Sequence, residues 1–174
     1  MRSNNKQHEI LRAAFAVVAE QGANRLTIDA VAAESGFSKG GVLYHFSSKK
    51  ALLSGMLDYL VNANVSRVEE QKDSHLLTRM IAARQATGKA ERSSTLALLT
   101  AFAEDTKLLE PARSQMNQLF QESVETKTEK EEAATLFFAN EGLRFLQLFD
   151  LCPLNHQATR KLTVYLTKRA ENLQ

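Results

Sequence analysis

Proline occurs only twice in this 174-residue chain, at Pro111 and Pro153. Everywhere else the backbone keeps the N–H that a helical ladder needs, and no ring clashes with the turn before it. Along most of the chain the apolar residues return every three or four positions, the spacing that lines one face of an α-helix. Ala, Leu, Glu, Lys, Gln and Arg, good helix formers, are abundant. With 44% hydrophobic residues the chain can bury a core. The expected fold class is all-α.

The helices can be placed in turn. Ile10, Leu11, Ala14, Phe15, Val17 and Val18 predict a first helix over about 6–21, stopped by Gly22. Thr27 is the expected N-cap of a second helix, whose Ile28, Val31 and Ala32 face inward. Glu34-Ser35-Gly36 makes a tight turn, Phe37 returns to the core, and Ser38 caps a short third helix ending near His45. Two short helices joined by such a turn are the mark of a helix-turn-helix. Ser47 or Ser48 caps a long fourth helix over about 49–70, with a stripe that includes Leu52, Leu53, Met56, Leu57 and Val68. Five more helices are expected, over about 75–86, 94–104, 108–126, 128–149 and 155–172. A capping box, Thr128-Glu129-Lys130-Glu131, is expected to open the fourth of these, and Asn155 to cap the last.

The stretch from Ser38 to Lys50 carries chemistry of its own. Residues 1–50 hold seven Lys/Arg against four Asp/Glu, while the remainder holds 15 against 16. Positive charge therefore gathers in the first third, as a nucleic-acid footprint requires. Gly40 and Gly41 inside a helix cost about 1 kcal/mol each relative to alanine. Close approach to a duplex accounts for that cost, because no side chain then holds the backbone off the bases. Ser38 and the first-turn N–H groups can hold phosphate. Lys39 can reach a guanine edge or a phosphate. Tyr44, His45 and Lys49 stand at the far end, placed for phosphates of the other strand, and Asn24 and Arg25 are placed for backbone phosphate ahead of the second helix. Asp29 can either accept from a cytosine amino group or orient Lys39. Phosphate contacts set register, while base contacts set sequence. With the capping Thr27, the expected DNA-facing set is Arg25, Thr27, Ser38, Lys39, Gly40, Gly41, Tyr44, His45 and Lys49.

The segment from Leu26 to Leu53 resembles the TetR family of bacterial transcriptional repressors, through Thr27, Ala32, Gly36, Ser38, Lys39, Gly40, Tyr44, His45, Phe46, Lys49 and Leu52. The resemblance implies a three-helix helix-turn-helix DNA-binding domain over 1–48, joined by a long helix to a helical ligand-binding and dimerisation domain over 49–174. It implies a homodimer made through the last two helices, a palindromic double-stranded DNA operator, and a small-molecule ligand. Many relatives carry a phosphate-binding tyrosine where this chain has Leu43, so Leu43 is expected to pack inward. Gly41 replaces the larger side chain often found at its position.

The last two expected helices hold more apolar residues than helices covered on one side would carry. Of these, Leu143, Leu146, Phe149, Leu162, Tyr165 and Leu166 are the expected dimer interface. The expected ligand pocket is Phe102, Met116, Phe120, Phe137, Asn140, Glu141 and Arg144, aromatic and polar residues set among the core stripes. Glu141 and Arg144 also fit an i,i+3 surface ion pair. A regulator without a small-molecule inducer, constitutive or controlled by a protein partner, is equally compatible with the sequence.

Other chemistries find little support. His8, His45, His75 and His156 lack metal-ligand spacing, and no Gly-x-Ser-x-Gly elbow or phosphate loop occurs. No enzyme activity, metal or cofactor is expected. Cys152 is the only cysteine, which excludes an intramolecular disulfide and suits a reducing cytoplasm. The N-terminus has no apolar signal core, and no stretch approaches the ~20 apolar residues of a spanning helix, so no membrane role is expected.

Overall fold

The structure, a computed structural model, describes residues 2–71, 75–88, 92, 94–96, 98–99, 102 and 105–173, with side chains from Asn5 onward. Among the described residues every regular element is helical. The helices are α1 (Arg2–Gln21), α2 (Ile28–Ser35), α3 (Lys39–His45), α4 (Lys49–Glu70), α5 (Leu76–Gln85), α6 (Glu110–Phe120), α7 (Lys130–Leu148) and α8 (His156–Glu171). Of the helix expected over 94–104, residues 94–96, 98–99 and 102 are described and are helical; the others lie outside the described residues. Among the described residues no helix is long and apolar enough to cross a membrane.

Local side-chain bonds set several helix starts. Thr27 Oγ1 accepts the Ala30 N–H at 3.0 Å, Ser38 Oγ that of Gly41 at 3.0 Å, and Ser48 Oγ that of Ala51 at 3.1 Å. Asn155 Oδ1 accepts from Ala158 at 2.9 Å. Each satisfies one of the first-turn donors that a helix leaves free. The capping box at Thr128 does not form. Glu129 takes the N-cap position of α7 and makes no side-chain cap bond. The chain is still closing the preceding turn at Lys127, whose N–H meets the Val124 carbonyl at 3.0 Å. The helix therefore opens one residue later than the box requires.

The single helix expected over 108–126 is three pieces: a 3-10 turn at Thr106–Leu109, α6, and a π turn at Gln121–Glu125. Pro111 lies in the first turn of α6, where its missing N–H removes no helical bond. In the π turn the Ser123 hydroxyl donates to the Leu119 carbonyl at 2.5 Å.

The chain divides into two compact units, 1–61 with 89–112 and 62–88 with 113–174. This differs from the boundary expected at residue 48. The first part of α4 belongs to the first unit, because Leu52, Leu53, Met56 and Leu57 bury themselves with α1, α2 and α3. Ile10, Val17, Leu26, Val31, Val42 and Phe46 belong to the same core. Gly55 has a packing reason that its sequence context does not reveal: a Cβ there would stand 2.5 Å from Phe46 Cε1. Phe46 is buried, so its ring has little room to withdraw. Gly55→Ala is expected to destabilise the first unit by about 1–3 kcal/mol, the usual range for overpacking. Urea unfolding followed by circular dichroism measures this, and an unchanged midpoint would mean that the ring yields freely.

The second core joins Leu77, Met80 and Ile81 of α5 to Leu136 and Phe137 of α7 and Leu166 and Ala170 of α8. Arg84 continues the buried stripe of α5 and is only 8% exposed. Its Nε donates to Asn140 Oδ1 at 3.0 Å, its Nη1 to Gln147 Oε1 at 3.0 Å and its Nη2 to Thr163 Oγ1 at 2.9 Å. One guanidinium thus ties α5 to both α7 and α8.

Candidate nucleic-acid interface

The expected reading helix is α3, and it is short. Seven residues cannot hold a helix alone in water, where isolated helices under ~12 residues are marginal. Tertiary anchors hold it instead. Val42 and Phe46 sit one helical turn apart, both buried against Val31, Leu26 and Leu52. The turn before α3 is set by Gly36, whose φ of +72° is the left-handed conformation that side chains resist. Gly22 makes the same kind of exit after α1, at φ +84°.

With Val42 and Phe46 turned inward, the opposite face is open. Ser38, Lys39, Gly40, Tyr44, Ser47, Ser48 and Lys49 are all exposed, and Tyr44 is 83% exposed. His45 is half-buried, its ring edge-on to Tyr44 with centroids 5.1 Å apart. Thr27 and Arg25, ahead of α2, are exposed too. Leu43 differs from expectation: it does not pack inward but is 37% exposed. Val42 and Phe46 already occupy the buried face, and Leu43 falls on its flank.

The two glycines separate. A Cβ at Gly40 would have no atom within 4 Å, so nothing in the protein requires glycine there. At Gly41 a Cβ would stand 3.3 Å from Ser38 Oγ, the capping oxygen, and 3.7 Å from Phe37 Cβ. Gly41 is thus partly an internal requirement, and only Gly40 is left for an outside surface to explain.

Two lysines of this region are held by acids. Lys39 Nζ lies 3.0 Å from both carboxylate oxygens of Asp29. This contact places Asp29 where it orients Lys39. Lys50 Nζ donates to Asp105 Oδ2 at 2.6 Å. That bond, opposed by some desolvation, holds the Asp105 carboxyl below its usual range. Both pairs are solvated and contribute little stability.

The residues expected in the second unit are distributed differently from the sequence reading. Leu143 and Leu166 turn into the unit's own core and leave no surface for a partner. Leu146 and Tyr165 are exposed, while Phe149 and Leu162 are half-buried. Phe138, Leu151 and Val164, also exposed, add to the same two helices and the turn between them. A Cβ at Gly142 would meet nothing within 4 Å. Of the expected ligand set, Phe102 lies in the first unit and the other six in the second. Phe102 belongs to the first core. Phe137 is buried in the second, edge-on to Phe120 at 5.3 Å, and Met116 packs against that core. Asn140 is committed to Arg84 and donates to Glu141 at 3.2 Å. Glu141 pairs with Arg144 at 2.8 Å, the i,i+3 contact. Two cavities of the second unit, about 280 and 390 Å³, are lined by none of these seven. Among the described residues no group of three or more His, Cys, Asp or Glu side chains could hold a metal.

The sequence of residues 10–56 matches the family model described as bacterial regulatory proteins, tetR family. Residues 73–171, more than half of the chain, match the Tetracyclin repressor-like C-terminal domain. This chain belongs to the TetR family. Its first unit carries the helix-turn-helix head of that family. Among characterised relatives, the nucleoid occlusion factor SlmA of Vibrio vulnificus (strain YJ016) is 29% identical over 143 residues, covering 72% of this chain and 65% of that protein. This TetR-family chain thus spans slightly less than two thirds of that relative. Among solved structures, a member of the TetR family from Streptomyces coelicolor A3 superposes with a TM-score of 0.70 at 18% identity, covering 92% of this chain and 97% of that one. The multidrug binding protein EbrR complexed with malachite green gives 0.72 at 17%, covering 94% and 96%. At these identities the structures share the TetR fold.

Proposed function

We propose that this TetR-family regulator is a homodimeric repressor that reads a palindromic operator with α3. The observation that carries the reading is Gly40, an exposed helical glycine with no partner in the protein. A feature that costs helix stability and serves no internal contact has an outside use. Two such heads, spaced by one turn of duplex at roughly 34–36 Å, would address successive major grooves. Lys39 would read a groove edge or phosphate. Ser38, Thr27, Arg25, Tyr44, His45 and Lys49 would hold the backbone, with Gly41 keeping the cap intact. Leu146, Phe149, Leu162 and Tyr165 on α7 and α8 would form the dimer surface, where Gly142 lets a facing helix come close.

Gly40→Ala tests this with two effects of opposite sign. Alanine should stabilise the protein by a few tenths of a kcal/mol up to about 1 kcal/mol, the upper figure being that of a helix interior, whereas Gly40 lies in the first turn. The same methyl should weaken operator binding by about tenfold or more, because it holds α3 off the groove floor. Thermal unfolding and fluorescence anisotropy on a selected operator give the two numbers. Unchanged operator binding would remove α3 from the interface.

Release by a small molecule is the second part of the reading. It requires a ligand that prefers one of two states of the dimer. The likeness in fold to a multidrug binding protein supports it. A regulator answering to a protein partner is the second reading, and two observations favour it: relatives named for nucleoid occlusion, and core packing of Phe120 and Phe137, which sequence had suggested as a pocket.

A further inference from the structure

Asp29 places a negative charge on the surface proposed for DNA. Its carboxylate lies in the first turn of α2, and both oxygens stand 3.0 Å from Lys39 Nζ. The pair is open to solvent, with the Lys39 side chain 61% and that of Asp29 70% exposed. An acid in the first turn suits the helix dipole. That benefit needs no partner on α3, so it does not account for the pairing. A carboxylate also repels the phosphate backbone, and its place beside the one lysine of α3 calls for a use at the bases.

The bonding capacity left on the pair is specific. An ammonium has three N–H donors, and a carboxylate has about four acceptor sites. Once bonded to each other, the lysine keeps a free donor and the carboxylate keeps free acceptors, side by side. A lone Lys39 would serve any acceptor, a phosphate oxygen included. A donor fixed beside an acceptor demands an acceptor fixed beside a donor. In the major groove a G·C pair shows guanine N7 and O6 as acceptors and then the cytosine N4 amino group as donor. O6 and N4 bond to each other across the base pair, so they lie about 2.9 Å apart. Lys39 Nζ and the Asp29 oxygens have nearly the same spacing, 3.0 Å.

We infer that Asp29 and Lys39 together read one G·C pair in each half-site of the operator. Lys39 donates to guanine O6 and N7, and Asp29 accepts from cytosine N4. Asp29 is thus a specificity-determining residue, which also keeps Lys39 from turning to phosphate. The missing side chain at Gly40 lets the pair come near the base edges. This assignment rests on the reading of DNA by α3. The order of groups ranks the other base pairs. C·G sets donor against donor and acceptor against acceptor, and is the worst. T·A keeps one acceptor, O4, beside one donor, N6, and is the mildest. A·T falls between them.

Selection of duplexes from a random pool by the full chain, by Asp29→Ala and by Lys39→Ala tests it. Both side chains are exposed, so the variants should fold as the parent does. The parent is expected to select a half-site with a G·C pair whose replacement by C·G weakens binding by about tenfold or more. Each variant should lose that preference and keep the rest of the half-site. N4-methylcytosine at the pair takes away the amino hydrogen that faces the groove. It should weaken the parent by about fivefold and leave Asp29→Ala unchanged. 7-Deazaguanine, which lacks N7, should weaken the parent and leave Lys39→Ala unchanged. If Asp29→Ala keeps the preference and binds every duplex more tightly, Asp29 only masks charge and the assignment falls. Loss of preference at a different base pair, or a parent indifferent to N4-methylcytosine, would also overturn it. Each of those results leaves reading by α3 in place. Gly40→Ala that binds the selected duplex as the parent does would remove α3 from DNA, and this assignment with it.

Discussion

Alanine at both Lys39 and Lys49 is expected to lower operator affinity by about 10²–10³-fold at physiological salt. The two side chains should fail in different ways. Lys49 opens α4 and is exposed, with no acid holding it among the described residues. Its contact is with phosphate, so Lys49→Ala should weaken all duplexes alike and reduce the salt slope by about 0.9. Lys39 is already partnered by Asp29 at 3.0 Å. Much of its charge is answered before DNA arrives, so Lys39→Ala should change the salt slope less. It should instead relax base choice, since a good base contact discriminates by roughly 1–3 kcal/mol. Anisotropy titrations at several salt concentrations, on the operator and on a scrambled duplex, separate the two behaviours. Unimpaired binding of the double variant would mean that DNA docks elsewhere on the chain.

Arg84→Met is expected to cost about 3–5 kcal/mol, since each buried acceptor left without a donor costs about 1–3 kcal/mol. The cost comes from the partners left behind. Asn140 Oδ1 and Gln147 Oε1 each lose a donor, and Thr163 Oγ1 loses the Nη2 bond. Thr163 still donates to the Thr159 carbonyl at 2.9 Å, so its loss is the mildest. Lysine should rescue only in part, because one ammonium cannot span acceptors on two helices as a planar guanidinium does. For a chain of this length the melting temperature should fall by roughly 6–20 °C. If the cost does lie in stranded acceptors, adding Asn140→Leu to Arg84→Met should recover part of it. A single variant within about 0.5 kcal/mol of the parent would show that water replaces the guanidinium without loss.

What could be read from the sequence follows the range of each interaction. The caps at Thr27, Ser38, Ser48 and Asn155 depend on a donor three residues away, so composition and spacing reveal them. The stripes of α1 and α4 are equally local. The Asp29–Lys39 pair lies within one helix-turn-helix and was visible as one of two roles. Thr128 misled because the box motif was intact while the preceding turn, set by Val124 and Lys127, ran one residue too far. Leu143 and Leu166 misled for another reason. An apolar stripe tells which face of a helix is buried, not whether its neighbour is the same chain or a second copy. Gly55 and the Lys50–Asp105 pair could not be found locally, since each depends on how distant segments meet. Arg84 did leave a signal: a cation at the next position of the stripe Leu77, Met80, Ile81 must be bonded to something.

The ring of Phe46 lies on the bare backbone at Gly55, and Phe46 is also the residue at which α3 ends. There is no side chain between them to bend or slip. The end of the reading helix and the opening turns of α4 should therefore move as one piece, with the loop of Ser47 and Ser48 acting as a weld rather than a joint. Any rotation of that opening stretch about its axis would swing α3 by the same angle, undamped, and the head would have no way to adjust on its own to a groove that arrived out of phase.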